Sequence, residues 1–221
     1  MNNETERCGR KMTKIINEKT VLSTPFTEED IRSLHTGDVI YITGDIATGR
    51  DDVHIRVVKE GMELPVDIHG KALMHAGPIV RSTEENGFEV VAIGPTTSMR
   101  MEKLEYDFIK EAGVRLIIGK GGMGEHTAEA CREFGAVHCV LPAGNAVVTA
   151  LCTEEITGVE WLDLGMPEAL WSIRVKDLGP LIVTIDTSGK NLFEEKKLKI
   201  ADQKEKQIEE ICKRFESVLL Q

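Results

Sequence analysis

Three loops in this sequence set a cation among glycines. They are ATGRDD, GPTTSMRM and GKGGMG, and they supply Arg50, Arg100 and Lys120. A guanidinium is a planar fork that can grip a carboxylate through two donors, and a lysine ammonium adds a point charge. Three such groups in a chain of formal net charge −10 point to a small anionic substrate with more than one carboxylate. Each taken alone could be a solvated surface residue; the repeated setting favours a shared site. GPTTSMRM also brings the hydroxyls of Thr96, Thr97 and Ser98 close to Arg100. A hydroxyl accepts a proton or attacks only where something lowers its pKa, and neighbouring cations do so by favouring the alkoxide. Thr97 or Ser98 could equally cap a helix beginning at Met101. His54 and His75 are further acid–base candidates, with a purely structural role open for each.

GKGGMG invites a second reading. Gly119, Gly121 and Gly124 match G-x-G-x-x-G between a strand-like run, VRLII, and a helix-like one, HTAEACREF. A dinucleotide loop of this kind is followed, about 20 residues on, by an acidic residue for the ribose. The next strand-like segment, residues 136–145, contains no Asp or Glu. The phosphate-loop pattern fails as well, because no G-K-[ST] is present. Lys120 on a glycine loop facing an anion is the favoured reading, and a tight turn without a ligand is the plainer alternative.

The surrounding elements place these loops. KTVLST reads as a strand. TEEDIRSLH reads as a short helix capped by Thr27, with Gly37 as its stop. DVIYITGDI has the branched, alternating character of a strand, and DDVHIRVVKEG that of a helix ending at Gly61. KALMHAGPIV and FEVVAIG are two more strands around a turn-rich STEENG. MEKLEYDFIKEAG is the clearest helix, with Leu104, Phe108 and Ile109 on one stripe and Gly113 as its end. Strand VRLII, helix HTAEACREF, strand AVHCVL, a helix around NAVVTALC and a last strand PLIVTID follow. Ile208, Ile211, Phe215, Val218 and Leu219 are spaced as one face of a terminal amphipathic helix. The pattern predicts an α/β fold: a mixed sheet with flanking helices, with a second small sheet packed on it. In an open sheet of this kind, ligands gather beyond the carboxyl ends of strands, so Arg50, Arg100 and Lys120 are expected to converge there. A polar tail over 1–15 and a single domain over 16–221 is the simplest division.

Composition excludes several classes. An acidic chain lacks the basic face that phosphate neutralisation requires, so nucleic acid is not the expected partner. No apolar run reaches the roughly 18 to 20 residues that span a bilayer, and the first residues have no secretory core, so a cytoplasmic location is expected. Five cysteines stand at positions 8, 131, 139, 152 and 212 without a C-x-x-C pair. They read as reduced thiols, and no metal is expected on this chain.

TGRDDVH, HAGP, GPTTSMRM, IGKGGMG, LGMPEALW and IDTSGKNL occur together, in this order, in the sequence. On these six motifs the chain resembles the β subunit of iron–sulfur hydro-lyases, the tartrate dehydratase and class I fumarase family. The resemblance implies a swivelling β/β/α domain. It also implies an α subunit as partner, carrying a [4Fe-4S] cluster whose open iron acts as Lewis acid on the substrate, and an active site at the α–β junction of a hetero-oligomer such as α₂β₂. Matched motif by motif, it makes Arg50, Arg100 and Lys120 the substrate-binding cations and Thr96 the catalytic base, with an acidic residue of α assisting at the leaving hydroxyl. Asp51 is in place to orient Arg50. The implied reaction is reversible hydration of a C4 dicarboxylate, with fumarate to L-malate put ahead of L-tartrate to oxaloacetate.

Overall fold

The computed structural model describes residues 14–16, 19–84 and 87–219. The first thirteen residues of the expected tail lie outside the described residues. Lys14–Ile16 forms a short strand, β1, antiparallel to β2, Lys19–Ser23. Helix α1, Glu28–Arg32, opens on a reciprocal cap: the Thr27 hydroxyl accepts from the Asp30 backbone at 3.1 Å, and the Asp30 carboxylate accepts from the Thr27 backbone at 3.3 Å. This satisfies two of the free N–H groups of the first turn. The helix stops at Ser33 rather than at Gly37, which instead belongs to the turn entering β3. Five helical residues from Glu28 do not reach that glycine.

Two long strands organise the sheet. β3, Val39–Thr48, lies antiparallel along β10, Leu170–Ile185. The other edge of β3 is shared by β2, along its first half, and β4, Ala72–Met74. From β4 the sheet continues, all parallel, through β7, Leu116–Gly119, to β8, Val137–Val140. β8 then pairs antiparallel with the end of β10, so β3, β4, β7, β8 and β10 close into a barrel-like ring. Closure leaves this ring no free edge. β9, Thr153–Glu160, lies outside the ring against the first half of β10.

The sequence reading differs from this in two places. KALMHAGPIV was expected as one strand but is two: it breaks at His75 into β4 and β5, Ile79–Ser82, and the latter pairs with β6, Phe88–Ala92, in a separate two-stranded sheet. The last strand begins at Leu170 rather than at PLIVTID, and β9 was not foreseen. Glutamates dilute its apolar alternation, and it finds its register only against β10.

Both faces of the parallel strands are buried, which is why they read as unbroken apolar runs. Ala72, Met74, Leu116, Ile118, Val137 and Cys139 pack with Trp171 in one core. Leu73 and Ile117, on the alternate positions, pack with Phe108 and Ile109 of α3, Glu102–Ala112, and Cys131 of α4, Glu125–Phe134. Helix α2, Asp51–His54, continues as one π-helical turn, Ile55–Lys59. Helix α5 is Ala146–Leu151, and α6, Leu192–Leu219, is the expected terminal helix. Ile208, Ile211 and Phe215 of that helix are exposed, whereas Phe193 near its start lies against Gly122. The side chains of Val218 and Leu219, also named for that face, lie outside the described residues.

Candidate active site

The parallel strands place their carboxyl ends together, and two of the four expected site residues follow directly from that. β3 runs out through Gly49 into Arg50, and β7 runs out into Lys120. Thr96 and Arg100 arrive from the other sheet, on the segment after β6. That segment is stitched to the strand ends by backbone hydrogen bonds. Thr96 N–H donates to the His75 carbonyl at 2.6 Å, Lys120 N–H to the Thr96 carbonyl at 3.0 Å, and Ser98 N–H to the Lys120 carbonyl at 3.1 Å. The 3₁₀ turn Ser98–Arg100 then presents Arg100. All four residues, Arg50, Thr96, Arg100 and Lys120, therefore stand on one set of linked loops.

Carboxylates organise the two arginines. Asp51 accepts from Arg100 Nε at 3.0 Å, lies 2.8 Å from Arg100 Nη2 and 3.7 Å from Arg50 Nη2. It aligns both guanidinium groups rather than Arg50 alone. Arg50 Nη2 also pairs with Glu168 at 3.2 Å. Glu168 comes from the LGMPEALW motif, to which the sequence reading gave no role. Its second oxygen accepts from the Asp52 backbone at 3.3 Å, which fixes it against the start of α2. Arg50 is mostly buried and Arg100 half-exposed, at 19% and 52% side-chain exposure. Arg50 Nε is a buried donor without a hydrogen-bond partner among the described residues.

GKGGMG is not built for a nucleotide. The N-terminus of α4, where a pyrophosphate would sit, already holds a carboxylate of this chain. Glu102 accepts from Gly124 N at 2.7 Å, His126 N at 3.0 Å, Thr127 N at 3.4 Å and Thr127 Oγ1 at 2.7 Å. A Cβ on Gly124 would lie 2.6 Å from that carboxylate, and one on Gly122 would lie 2.7 Å from the Phe193 ring. The glycines make room for protein groups. Glu102→Ala is expected to cost about 1–2 kcal/mol, because it removes a cap and a charge favourable to the helix dipole. Urea denaturation would measure this, and an unchanged midpoint would refute the capping role.

Neither Thr97 nor Ser98 caps a helix through its side chain; the alternative held open for them is not what is found. Ser98 is fully buried, and its Oγ lies 3.0 Å from His75 Nδ1 and 3.2 Å from His138 Nε2. His54 and His75 are also fully buried, so neither meets a substrate directly. Both face Glu105. These three groups bring ligand-type atoms within 4.8 Å of one another, the donor types of a zinc-like centre, in a spot closed to solvent. Glu105 was missed by sequence reasoning although a signal existed: it precedes Phe108 by three residues and Ile109 by four, so it sits on the buried stripe.

Comparison with known proteins identifies the family. Residues 2–196 match the family model described as the fumarase C-terminus. The L(+)-tartrate dehydratase subunit beta of Escherichia coli (strain K12) is 50% identical over 194 residues, covering 88% of this chain and 96% of that protein. A putative L(+)-tartrate dehydratase subunit beta of Methanocaldococcus jannaschii is 38% identical, over 79% of this chain and 91% of that protein. A putative class I fumarate hydratase of Geobacillus stearothermophilus is 43% identical over 79% of this chain, which is 33% of that longer protein. With its strand-end cations on the loops that carry the motifs, and with this extent of identity, the chain belongs to the fumarase C-terminal family.

Proposed function

We propose that this chain is the β subunit of a dicarboxylate hydro-lyase and that L-tartrate is its substrate. The single observation that carries the substrate is 50% identity along 96% of a stand-alone tartrate dehydratase β subunit. Fumarate and L-malate form the second reading, favoured by the 43% identity to a class I fumarate hydratase. The two substrates differ by one hydroxyl, and a pocket separates such ligands by giving or withholding a hydrogen bond.

The chain's own residues account for one half of an elimination. Arg50, Arg100 and Lys120 take the two carboxylates. Thr96 Oγ removes the proton from the carbon next to one of them. The charge that moves onto that carboxylate in the transition state is what the cations stabilise, and the same cations favour the Thr96 alkoxide. Loss of the hydroxyl would fall to an α subunit, whose acidic residue would assist it and whose [4Fe-4S] cluster would supply a Lewis acid. Among the described residues no three cysteines gather to hold such a cluster: Cys131 and Cys139 are buried, Cys152 is half-buried and Cys212 is exposed. In this proposal the cluster is wholly the partner's, and no step assigned to this chain runs through it. No helix among the described residues is long and apolar enough to cross a membrane, which accords with the cytoplasmic location proposed here.

Anaerobic co-expression with the α subunit tests the reading. Oxaloacetate formed from L-tartrate, faster than fumarate from L-malate, is the expected result. The reverse order selects the second reading, and turnover of neither substrate refutes both.

A further inference from the structure

Beneath the site lies a buried network that the proposed chemistry does not use. Glu105 Oε2 is 3.2 Å from His54 Nε2 and 3.3 Å from His75 Nε2, and all three side chains are closed to solvent. The distances are those of ion pairs, while the angles fall outside hydrogen-bond geometry, so the attraction is chiefly Coulombic. The other nitrogen of His54 decides its charge. His54 Nδ1 lies 2.7 Å from the Arg50 carbonyl oxygen, which can only accept, so Nδ1 carries a proton. Nε2 lies 3.2 Å from Glu105 Oε2: a lone pair there makes the contact a repulsion and a second proton makes it an attraction, and the attractive arrangement is the one a stable buried network requires. Burial alone pushes the Glu105 carboxyl up; His75 and His54 outweigh it and hold it well below the usual carboxylate range.

The network continues through Ser98 to His138 and then to Thr184, 2.6 Å from His138 Nδ1. His138 is neutral: burial, with His75 adding to it and Glu105 opposing, pushes it down to about 3. Ser98 has one proton, so it donates to one histidine and accepts from the other. Each expected site residue is tied to this network. His54 holds the Arg50 carbonyl. The His75 carbonyl holds the Thr96 backbone, and Ser98 begins the turn of Arg100 and bonds to the Lys120 carbonyl.

We propose that Glu105 and Ser98 are positioning residues of the hydro-lyase site: together with His54, His75 and His138 they form a buried strut that sets Thr96 against the three cations. The proposal rests on the hydro-lyase reading. A base displaced by about 1 Å can lose up to roughly 10²-fold in rate, whereas the Arg50 and Arg100 guanidinium groups, held separately by Glu168 and Asp51, continue to bind substrate. Glu105→Gln and Ser98→Ala, each assembled with the α subunit, are therefore expected to lower kcat by roughly 10- to 100-fold with KM nearly unchanged. A merely structural role would reduce the amount of assembled enzyme and leave kcat per assembled site intact, and that result in both variants overturns the proposal.

A second measurement needs no α subunit. Two-bond ¹H–¹⁵N spectra of the ¹⁵N-labelled full-length β chain at neutral pH should show both nitrogens of His54 protonated, and Glu105→Gln should abolish that signature. A neutral His54, or one divalent metal ion per purified chain, overturns the strut as described. A wild-type enzyme inactive on both substrates refutes the hydro-lyase reading and the positioning role with it, while the His54 spectrum still decides the ion pair.

Discussion

Thr96→Val in the assembled enzyme is expected to lower kcat by roughly 10²- to 10⁴-fold, with KM within a few-fold of the parent. Valine replaces the threonine hydroxyl with a methyl of similar size. The loop survives the exchange because its own bonds are backbone bonds: Thr96 N–H to the His75 carbonyl at 2.6 Å, and Lys120 N–H to the Thr96 carbonyl at 3.0 Å. In the proposed reading Arg50, Arg100 and Lys120 are untouched and would still grip the carboxylates in ground state and transition state alike. Only the proton acceptor is gone. A loss confined to kcat is the mark of an interaction made in the transition state. Steady-state kinetics on anaerobically assembled enzyme, normalised to iron content, would show it. A variant with parental kcat removes Thr96 from the role of base.

Gly119→Ala is expected to be the most damaging single methyl in the site. A Cβ there would stand 1.8 Å from Ser98 Oγ, 3.2 Å from Ser98 Cβ and 3.3 Å from His75 Nδ1. The first distance is inside any permissible contact, and none of these neighbours is the free end of a long side chain. Either Ser98 gives up its bonds to His75 and His138, or the end of β7 shifts and carries Lys120 with it. Overpacking of this kind costs about 1–3 kcal/mol and sometimes more, which is a fall of about 2–12 °C in Tm for a chain of this size. Activity should fall further than stability, since both escapes move a site residue. Removing the obstructing oxygen makes room, so Gly119→Ala combined with Ser98→Ala should lose less stability than the two single changes summed. A Gly119→Ala protein with parental Tm and kcat would show that the contact is not tight.

These two variants separate what was legible in the residues from what was not. Arg50, Arg100 and Lys120 were nominated from residue type and glycine setting, because binding a dicarboxylate demands cations and an acidic chain has few reasons to cluster them; the fold places all three on linked strand-end loops. Thr96 came only from the resemblance, since a threonine after a strand is more simply a cap. Most elements were also readable. Phe108 and Ile109 do mark the buried face of α3, and Gly113, at φ +63°, does end it. The misses have a common cause. The break at His75, the length of β10 and the existence of β9 depend on which distant strand each residue pairs with, and local periodicity carries no such information.

The network of buried polar groups was the largest omission. His54, His75, Glu105 and His138 are well separated in the chain, and although the stripe of α3 marks Glu105 as buried, nothing in the local sequence says that these groups share one solvent-free space. Glycine 119 illustrates the same limit. As a letter in G-x-G-x-x-G it suggested a nucleotide; in the fold it leaves room for a serine hydroxyl, and Glu102 fills the anion position at the head of α4. By itself, then, the sequence determined the kinds of chemistry available: cations for carboxylates, a hydroxyl beside them and no gathered cysteines. The tertiary structure decided which of these groups meet and what stands behind them, because the parallel strands bring segments some 70 residues apart to one rim, and only there do charge and hydrogen-bond direction act on one another.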